Sequence, residues 1–333
     1  MYLLDRLMRR AILLFSVLLS INALKAQNVY KDNFAHTYSI VARDEKTGEM
    51  AVGVQSHWFS VGSLVSWGKS GVGVVATQSF VDPAYGPGGL KLLEEGKTPE
   101  EALKILLEKD KNNLGRQVAF LDVSGNAFAY TGEKCMGYAS HITGKNFSVQ
   151  ANMMLNDKVV PAMAKAFEEN KDLPLAQRVM KVLFAAEEAG GDIRGKQSAA
   201  LIVVNAEKVE AWKDKKIDLR VDDDENPLIK LQQLLDLHTA YEYLNRGDEA
   251  IGIGDMKLAL QEYGAAEKMF PENLEMQYWK AIAMANNGML EEALPVFKDI
   301  FSKDENWREL TRRLPKADIL NLSEENLQRI LHP

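Results

Sequence analysis

The chain has 333 residues, 46% of them hydrophobic, with a formal net charge of −7 and one cysteine. A modest negative charge without a basic stripe argues against nucleic-acid binding, and the lone Cys135 excludes an intrachain disulfide, so an apolar core must supply stability. The absence of HExxH, CxxC or clustered-histidine patterns argues against a dedicated zinc site.

In chain order, Arg6, Arg9 and Arg10 precede the apolar run 11–23, AILLFSVLLSINA, and Leu24-Lys25-Ala26 follows. A charged start, a short apolar stretch and a small residue at a cleavage point predict a secretory signal peptide over 1–26. The uncharged run 11–24 is shorter than the roughly 20 residues a spanning helix needs. An uncleaved membrane anchor is the alternative. The mature protein is expected to be exported, to the periplasm or the exterior, with 27–36 as a short extension.

Tyr38–Arg43 and Met50–Gln55 read as strands joined through the hairpin signal Lys46-Thr47-Gly48. Gly71–Thr77 (GVGVVAT) reads as a strand buried on both faces. Asp82–Gly89 is rich in turn residues and reads as a long connection or a substrate lid. Thr98-Pro99-Glu100-Glu101 carries a capping box with proline at the first helical position, which predicts a helix to about Lys109. Strands follow at Arg116–Asp122, Ala127–Thr131 and Phe147–Ala151, helices near Val159–Glu169 and Leu175–Ala189, and a strand at Ala199–Val204. This order predicts an α+β domain over 37–220, preferably a four-layer αββα sandwich with helices outside two facing sheets. A single sheet with helices on one face is the fallback.

The acidic segment Asp222-Asp223-Asp224-Glu225-Asn226-Pro227 reads as a linker within 221–235. Beyond it the pattern is helical and repeats: Gly247 and Ala281, Gly254 and Gly288, Ala259 and Ala293, Tyr263 and Phe297 are each 34 positions apart. That period predicts two tetratricopeptide-like helix pairs over 236–305, with 306–333 as a capping helix and tail. The repeats would bind a peptide partner or simply stabilise their neighbour.

The densest polar signal is 185–204, AAEEAGGDIRGKQSAALIVV. Glycines permit unusual backbone angles there, and Asp192, Arg194, Gln197 and Ser198 crowd a helix-to-strand corner where polar groups need partners or a task.

Several segments, HTYSIVARDEKTGEMAVGVQS (36–56), GVGVVATQSFVDPAYGPGGLKLL (71–93), RQVAFLDVSG (116–125), TGEKCMGYASH (131–141), QANMML (150–155) and AGGDIRGKQSAALIVV (189–204), resemble domain-of-unknown-function family 1028, which has an N-terminal-nucleophile (Ntn) hydrolase-like fold. The resemblance covers about 36–220. It implies the αββα sandwich and no particular substrate. Ntn hydrolases use a Thr, Ser or Cys at the start of the mature chain, and its own amine, titrating near 8, serves as base. Carried over, the resemblance makes Thr37 the candidate nucleophile. Thr37 is internal here, so a second cut at His36-Thr37 would be needed after signal cleavage. Otherwise Thr37 is a β-branched residue opening a strand.

Around it, Asn152 is a candidate oxyanion donor or a buried structural amide. Asp192 is a candidate for orienting the nucleophile, together with Arg194 as a substrate clamp or as the partner in a structural ion pair. Ser198 is a candidate relay hydroxyl. Gln78, Tyr85, Arg116 and Gln197 are candidate substrate contacts. Arg116 would grip a carboxylate bidentately or pair with Asp192. A Cys135–His141 dyad is a weaker candidate, and His57 reads as packing. The expectation is an exported hydrolase of an amide or related acyl bond, acting on a small molecule or peptide and paired as a homodimer, and this chemistry implies no metal and no organic cofactor. The alternative is a non-catalytic ligand-binding protein of the cell envelope, and a plain scaffold is a third reading.

Overall fold

The computed structural model describes residues 33–35, by their backbone, and 37–333. The predicted signal peptide and most of the 27–36 extension lie outside the described residues. The chain divides into two compact units, the first ending at Gln232 and the second running from Gln233 to Pro333.

The first unit is a mixed α/β structure with two antiparallel sheets. One contains β5 (Gly73–Val81), β6 (Arg116–Asp122) and β7 (Ala127–Thr131). Along its edge, β1 (Asn33–Ala35) pairs with the end of β5, and β4 (Ser66–Lys69) pairs with its beginning. The other sheet has the order β11 (Lys215–Val221), β10 (Ser198–Val204), β3 (Met50–Ser56), β2 (Thr37–Arg43), β9 (Phe147–Ala151), β8 (Ser140–Gly144). The β2–β3 hairpin closes as its sequence predicts. Asp44 accepts the amides of Lys46 at 2.8 Å and Thr47 at 2.7 Å, and Gly48 takes the left-handed angle that the turn requires.

Alternation decides which side chains meet. Val41, Val52, Val54, Ala200 and Ile202 from the second sheet share one apolar cluster with Val74, Ala76, Ala119 and Leu121 from the first. On its other face the first sheet carries α2 (Tyr85–Glu94) and α3 (Pro99–Lys109), which bury Leu90, Leu93 and Leu103 against Val75, Val118 and Phe120. The second sheet's other face carries α4 (Val159–Glu169) and α5 (Leu175–Glu188). The capping box forms as its sequence predicts. Thr98 Oγ1 accepts the Glu101 amide at 3.2 Å, and Glu101 Oε2 accepts the Thr98 amide at 3.0 Å.

The expected lid is corrected. From Tyr85 onward the glycine-rich stretch is helix α2, not a loop. Its glycines serve packing: a Cβ at Gly86 would lie 2.3 Å from the Trp67 ring, and one at Gly89 would lie 2.4 Å from Phe120. Only glycine lets the helix lie that close to the sheet. The short α1 (Gly62–Val65) and the strands β4, β8 and β11 are additions to the sequence reading.

Helix α6 (Pro227–Gly252) crosses the boundary into the helical second unit, which continues with α7 (Met256–Met269), α8 (Leu274–Asn286), α9 (Leu290–Lys303), α10 (Asn306–Arg313) and α11 (Glu324–Leu331). Its core joins Tyr278, Ala281, Ala293 and Phe297 to Leu314, Leu327 and Ile330 near the chain's end. Among the described residues, no helix is long and apolar enough to cross a membrane.

Candidate functional site

Strand register places Thr37 first. It opens β2 opposite Ser56 of β3, and Ser56 stands opposite Ser198 of β10. Directly opposed residues in an antiparallel sheet project from the same face. The row Thr37, Ser56 and Ser198 therefore lies on the face that meets the first sheet, as Val41, Val54 and Ala200 do further along. Thr37 Oγ1 lies 3.2 Å from Ser56 Oγ. Ser198 serves a neighbouring turn instead: its hydroxyl donates to the Trp58 carbonyl and accepts the Val61 amide at 3.0 Å.

Between the sheets, the apolar cluster gives way at this end to a buried network of amides and hydroxyls. Thr37, Ser39, Gln78, Gln117, Gln150 and Asn152 are all fully buried. The Thr37 carbonyl accepts Gln78 Nε2 at 3.1 Å, the Asn152 backbone amide at 3.1 Å and Asn152 Nδ2 at 3.4 Å. Gln117 Oε1 accepts Gln78 Nε2 at 2.7 Å and Asn152 Nδ2 at 2.9 Å, which ties those side chains together. Gln117 Nε2 donates to Thr131 Oγ1 and the Ala151 carbonyl, both at 2.9 Å. On the other side, Ser39 Oγ donates to Gln78 Oε1 at 2.6 Å and accepts Gln150 Nε2 at 2.6 Å. Burial without partners would cost each group about 1–3 kcal/mol, so the network fixes its members' orientations.

The structure joins three of the sequence candidates, Thr37, Gln78 and Asn152, in one network with Gln117 and Gln150, which sequence reasoning did not single out. The signal was available: Gln78, Gln117 and Gln150 are each a long amide side chain fully buried within a strand. The residues following two of the clamping side chains, Ser79 and Met153, have φ of 72° and 58°. Left-handed angles in such residues cost on the order of 1 kcal/mol or more and gather at functional sites.

The corner at 190–198 closes the same end. The Asp192 carboxylate, fully enclosed, accepts Arg194 Nη2 at 2.6 Å, Arg194 Nε at 3.0 Å, the Arg194 amide at 2.9 Å and the His57 amide at 3.2 Å. Asp192 thus pins the corner to the residue that follows Ser56. Gly191, with φ of 57°, makes the turn possible. Gln197 reaches away, its Nε2 3.0 Å from Asp223 Oδ1. Phe59, Tyr138, Leu155 and Ile193 stand exposed on the turns of this end.

Other expectations are corrected. Tyr85 and Arg116 lie on the helix-covered face of the first sheet, opposite in direction to Gln117. Arg116 pairs with Asp110 at 2.7 Å and not with Asp192, and Tyr85 donates to Asp110 at 3.1 Å. The strand's alternation is the reason: adjacent residues of β6 point to opposite faces. Cys135 and His141 form no dyad. The thiol turns to the Arg116 carbonyl at 3.3 Å, while His141 Nδ1 lies 2.8 Å from Thr131 Oγ1. Burial pushes the thiol's pKa up and the imidazole's down, so both are held neutral. His57 is exposed instead of packed. Among the described residues, no group of three or more His, Cys, Asp or Glu side chains is gathered as for a metal ion.

The chain is similar to the crystal structure of a DUF1028 protein from Silicibacter pomeroyi, with 30% identity over 62% of this chain and 90% of that one and a TM-score of 0.56. A second similar structure is Anbu, an ancestral beta-subunit from Yersinia bercovieri, at 12% identity over 59% of this chain and 92% of that one, with a TM-score of 0.30. No curated protein matches the chain significantly. A family model matches residues 37–231, more than half of the sequence and beginning at the buried threonine itself, and the chain belongs to this family of unknown function, DUF1028.

Proposed function

We propose that the chain is an exported hydrolase of amide or related acyl bonds whose first unit is a four-layer αββα sandwich of Ntn-hydrolase type. The observation that carries this reading is the placement of Thr37: first residue of a central strand, facing the opposite sheet, with its carbonyl clamped by Gln78 and Asn152. The sandwich reading is supported by an apolar cluster drawn from both sheets and by a helix pair on each outer face. Exposed apolar side chains on the surrounding turns suit a substrate with an apolar flank.

In this mechanism a cut between His36 and Thr37 frees the Thr37 amine. The neutral amine accepts the Oγ1 proton while Oγ1 attacks the acyl carbon. The amide C–N bond breaks, the leaving amine takes that proton, and an acyl ester remains on Thr37. Water then attacks the ester and gives its proton to the amine. That proton returns to Oγ1 as the acid departs. In this reading Asn152 Nδ2, which lies 3.4 Å from the Thr37 carbonyl, would turn to support the developing oxyanion.

A second reading has its own observation. Strand β1 pairs Ala35 with Ser79 two positions before Thr37, which gives the segment ahead of the threonine a docked place along the sheet edge. An uncut chain of this kind is a ligand-binding protein. The deciding experiment is the intact mass of the mature protein from its native host, together with amidase screening of wild type and Thr37→Ala. A chain starting at Thr37, with turnover abolished by the substitution, is the expected result. A chain that keeps its 27–36 extension and turns over nothing would overturn the hydrolase reading.

The second unit we read as two tetratricopeptide-like repeats with a helical cap, presenting a surface for a peptide partner. Support lies in matching roles 34 positions apart: Gly254 and Gly288 have φ of 78° and 80°, and Ala259 and Ala293, like Tyr263 and Phe297, are buried. A homodimer remains part of the proposal, testable by light scattering.

A further inference from the structure

A second cleft, of about 400 Å³, opens at the opposite end of β2 from Thr37. It is lined by Asp44, Glu45 and Lys46 of the β2–β3 turn, Lys145 and Asn146 of the β8–β9 turn, and Phe167, Glu168, Lys171, Asp172 and Arg178 of the α4–α5 hairpin. Its volume falls within the range of small-molecule sites.

Arg178 is its distinctive member. The side chain is 8% exposed, its guanidinium carbon stacks 3.4 Å from the Phe167 ring centroid, and its Nε donates to the Phe167 carbonyl at 2.8 Å. Those contacts fix the guanidinium plane and use one donor. Among the described residues, no protein group hydrogen-bonds the two Nη groups, and neither is fully enclosed, so that edge of the guanidinium stays accessible where Arg178 lines the cleft. The surrounding charges do not fill the gap. Lys145 pairs with Glu45 at 2.7 Å, Lys46 lies 3.9 Å from Asp172, and Asp44 Oδ1 accepts two amides of its own turn. The lining balances: Lys46, Lys145, Lys171 and Arg178 against Asp44, Glu45, Glu168 and Asp172.

A pure anion site should carry excess positive charge, and a cation site should not hold a fixed guanidinium with idle donors. We infer that this cleft binds a small zwitterion, a free α-amino acid or dipeptide, with its carboxylate on the Nη edge of Arg178 and its ammonium toward the acidic rim at Glu168. A bidentate guanidinium–carboxylate pair supplies orientation, and the balanced lining rejects ligands of a single sign. The cleft is separate from the Thr37 site and does not depend on its chemistry.

The test uses calorimetric titration of the full chain with alanine, glycylglycine, acetate, methylammonium and inorganic phosphate as separate probes. Alanine or glycylglycine should bind at least tenfold more tightly than acetate or methylammonium. Arg178→Met should weaken that binding at least tenfold, and Arg178→Lys, which keeps the charge but loses the planar fork, should weaken it too. Since Arg178 also packs on Phe167, the exposed Glu168→Gln is the second variant. It should weaken alanine binding and leave acetate binding unchanged. Phosphate binding more tightly than either zwitterion, no binding of any zwitterion, or zwitterion binding indifferent to Arg178→Met or Glu168→Gln would each overturn the inference.

Discussion

Gln117→Leu is the sharpest perturbation of the buried network, since leucine nearly matches glutamine in size and removes only the polar atoms. Gln117 Oε1 accepts from Gln78 at 2.7 Å and Asn152 at 2.9 Å, and its Nε2 donates to Thr131 Oγ1, the Ala151 carbonyl and, at 3.2 Å, the Ser140 carbonyl. Some of these groups keep other partners. Gln78 Nε2 still reaches the Thr37 carbonyl, and Thr131 still meets His141. Asn152 Nδ2 loses its shorter bond and the two carbonyls lose a donor. At about 1–3 kcal/mol for each buried group stranded, with part of the loss recovered by relaxation, the substitution should destabilise the first unit by about 2–4 kcal/mol. The chain has two units, so a single global unfolding free energy is not the right quantity. Native-state hydrogen exchange of the β2, β6 and β9 amides reads the first unit alone, and exchange there should accelerate by about thirty- to several-hundred-fold. Gln78→Leu should act less than additively with Gln117→Leu, because each leaves the other's partner already unpaired. If Gln117→Leu changes exchange by less than about threefold, under roughly 0.7 kcal/mol, the network does not hold Thr37 in place.

Neighbouring glycines of α2 should respond oppositely. A Cβ at Gly89 would lie 2.4 Å from Phe120, so Gly89→Ala should lower stability by about 1–3 kcal/mol through overpacking. At Gly88 the nearest atom is Leu106 Cδ2 at 3.5 Å, and Gly88→Ala should raise stability by about 0.5–1 kcal/mol. Thermal melts of the pair check both, and equal effects would refute the packing account. Asp110 supplies a pH dependence. Burial raises its pKa, but the hydrogen bond from Arg116 and further donors outweigh burial and hold it below the usual carboxylate range. A depressed folded-state pKa contributes stability that is present above the unfolded value near 4 and is lost as pH falls through the folded value. Unfolding midpoints from pH 5 down to pH 2 should therefore converge for wild type and Asp110→Asn, and curves that stay parallel would sink the assignment.

What the sequence made legible follows from the range of the interactions involved. The capping box at Thr98–Glu101 and the Asp44 turn are built from residues a few positions apart, and their side chains announce them. Strand alternation likewise shows which residues of β2, β3 and β10 share a face. It does not show which strands are neighbours, and that is where the site was lost. Gln117 in RQVAFLD and Gln150 in FSVQA look like polar interruptions of apolar strands. Only the pairing of β2 with β9 and of β5 with β6, together with the packing of one sheet on the other, gathers them around Gln78. The same limit explains Arg116: its charge suggested a ligand contact, but one position along β6 separates it from Gln117 and turns it to the opposite face. Helix α2 failed for another reason. Its glycines are unfavourable for a helix in isolation, and they are tolerated because Gly86 and Gly89 let the helix settle onto Trp67 and Phe120. The buried amides place a constraint on the mechanism as well. The described residues around Thr37 offer hydrogen-bonding amides and hydroxyls and no ionised base in contact with its hydroxyl, and the enclosed Asp192 carboxylate is engaged by Arg194 and the His57 amide. In the proposed hydrolase the base must therefore come from elsewhere, and the reading supplies it as the threonine's own nitrogen once the peptide bond to His36 is cut. On that proposal, chemistry at Thr37 and processing of the chain stand or fall together.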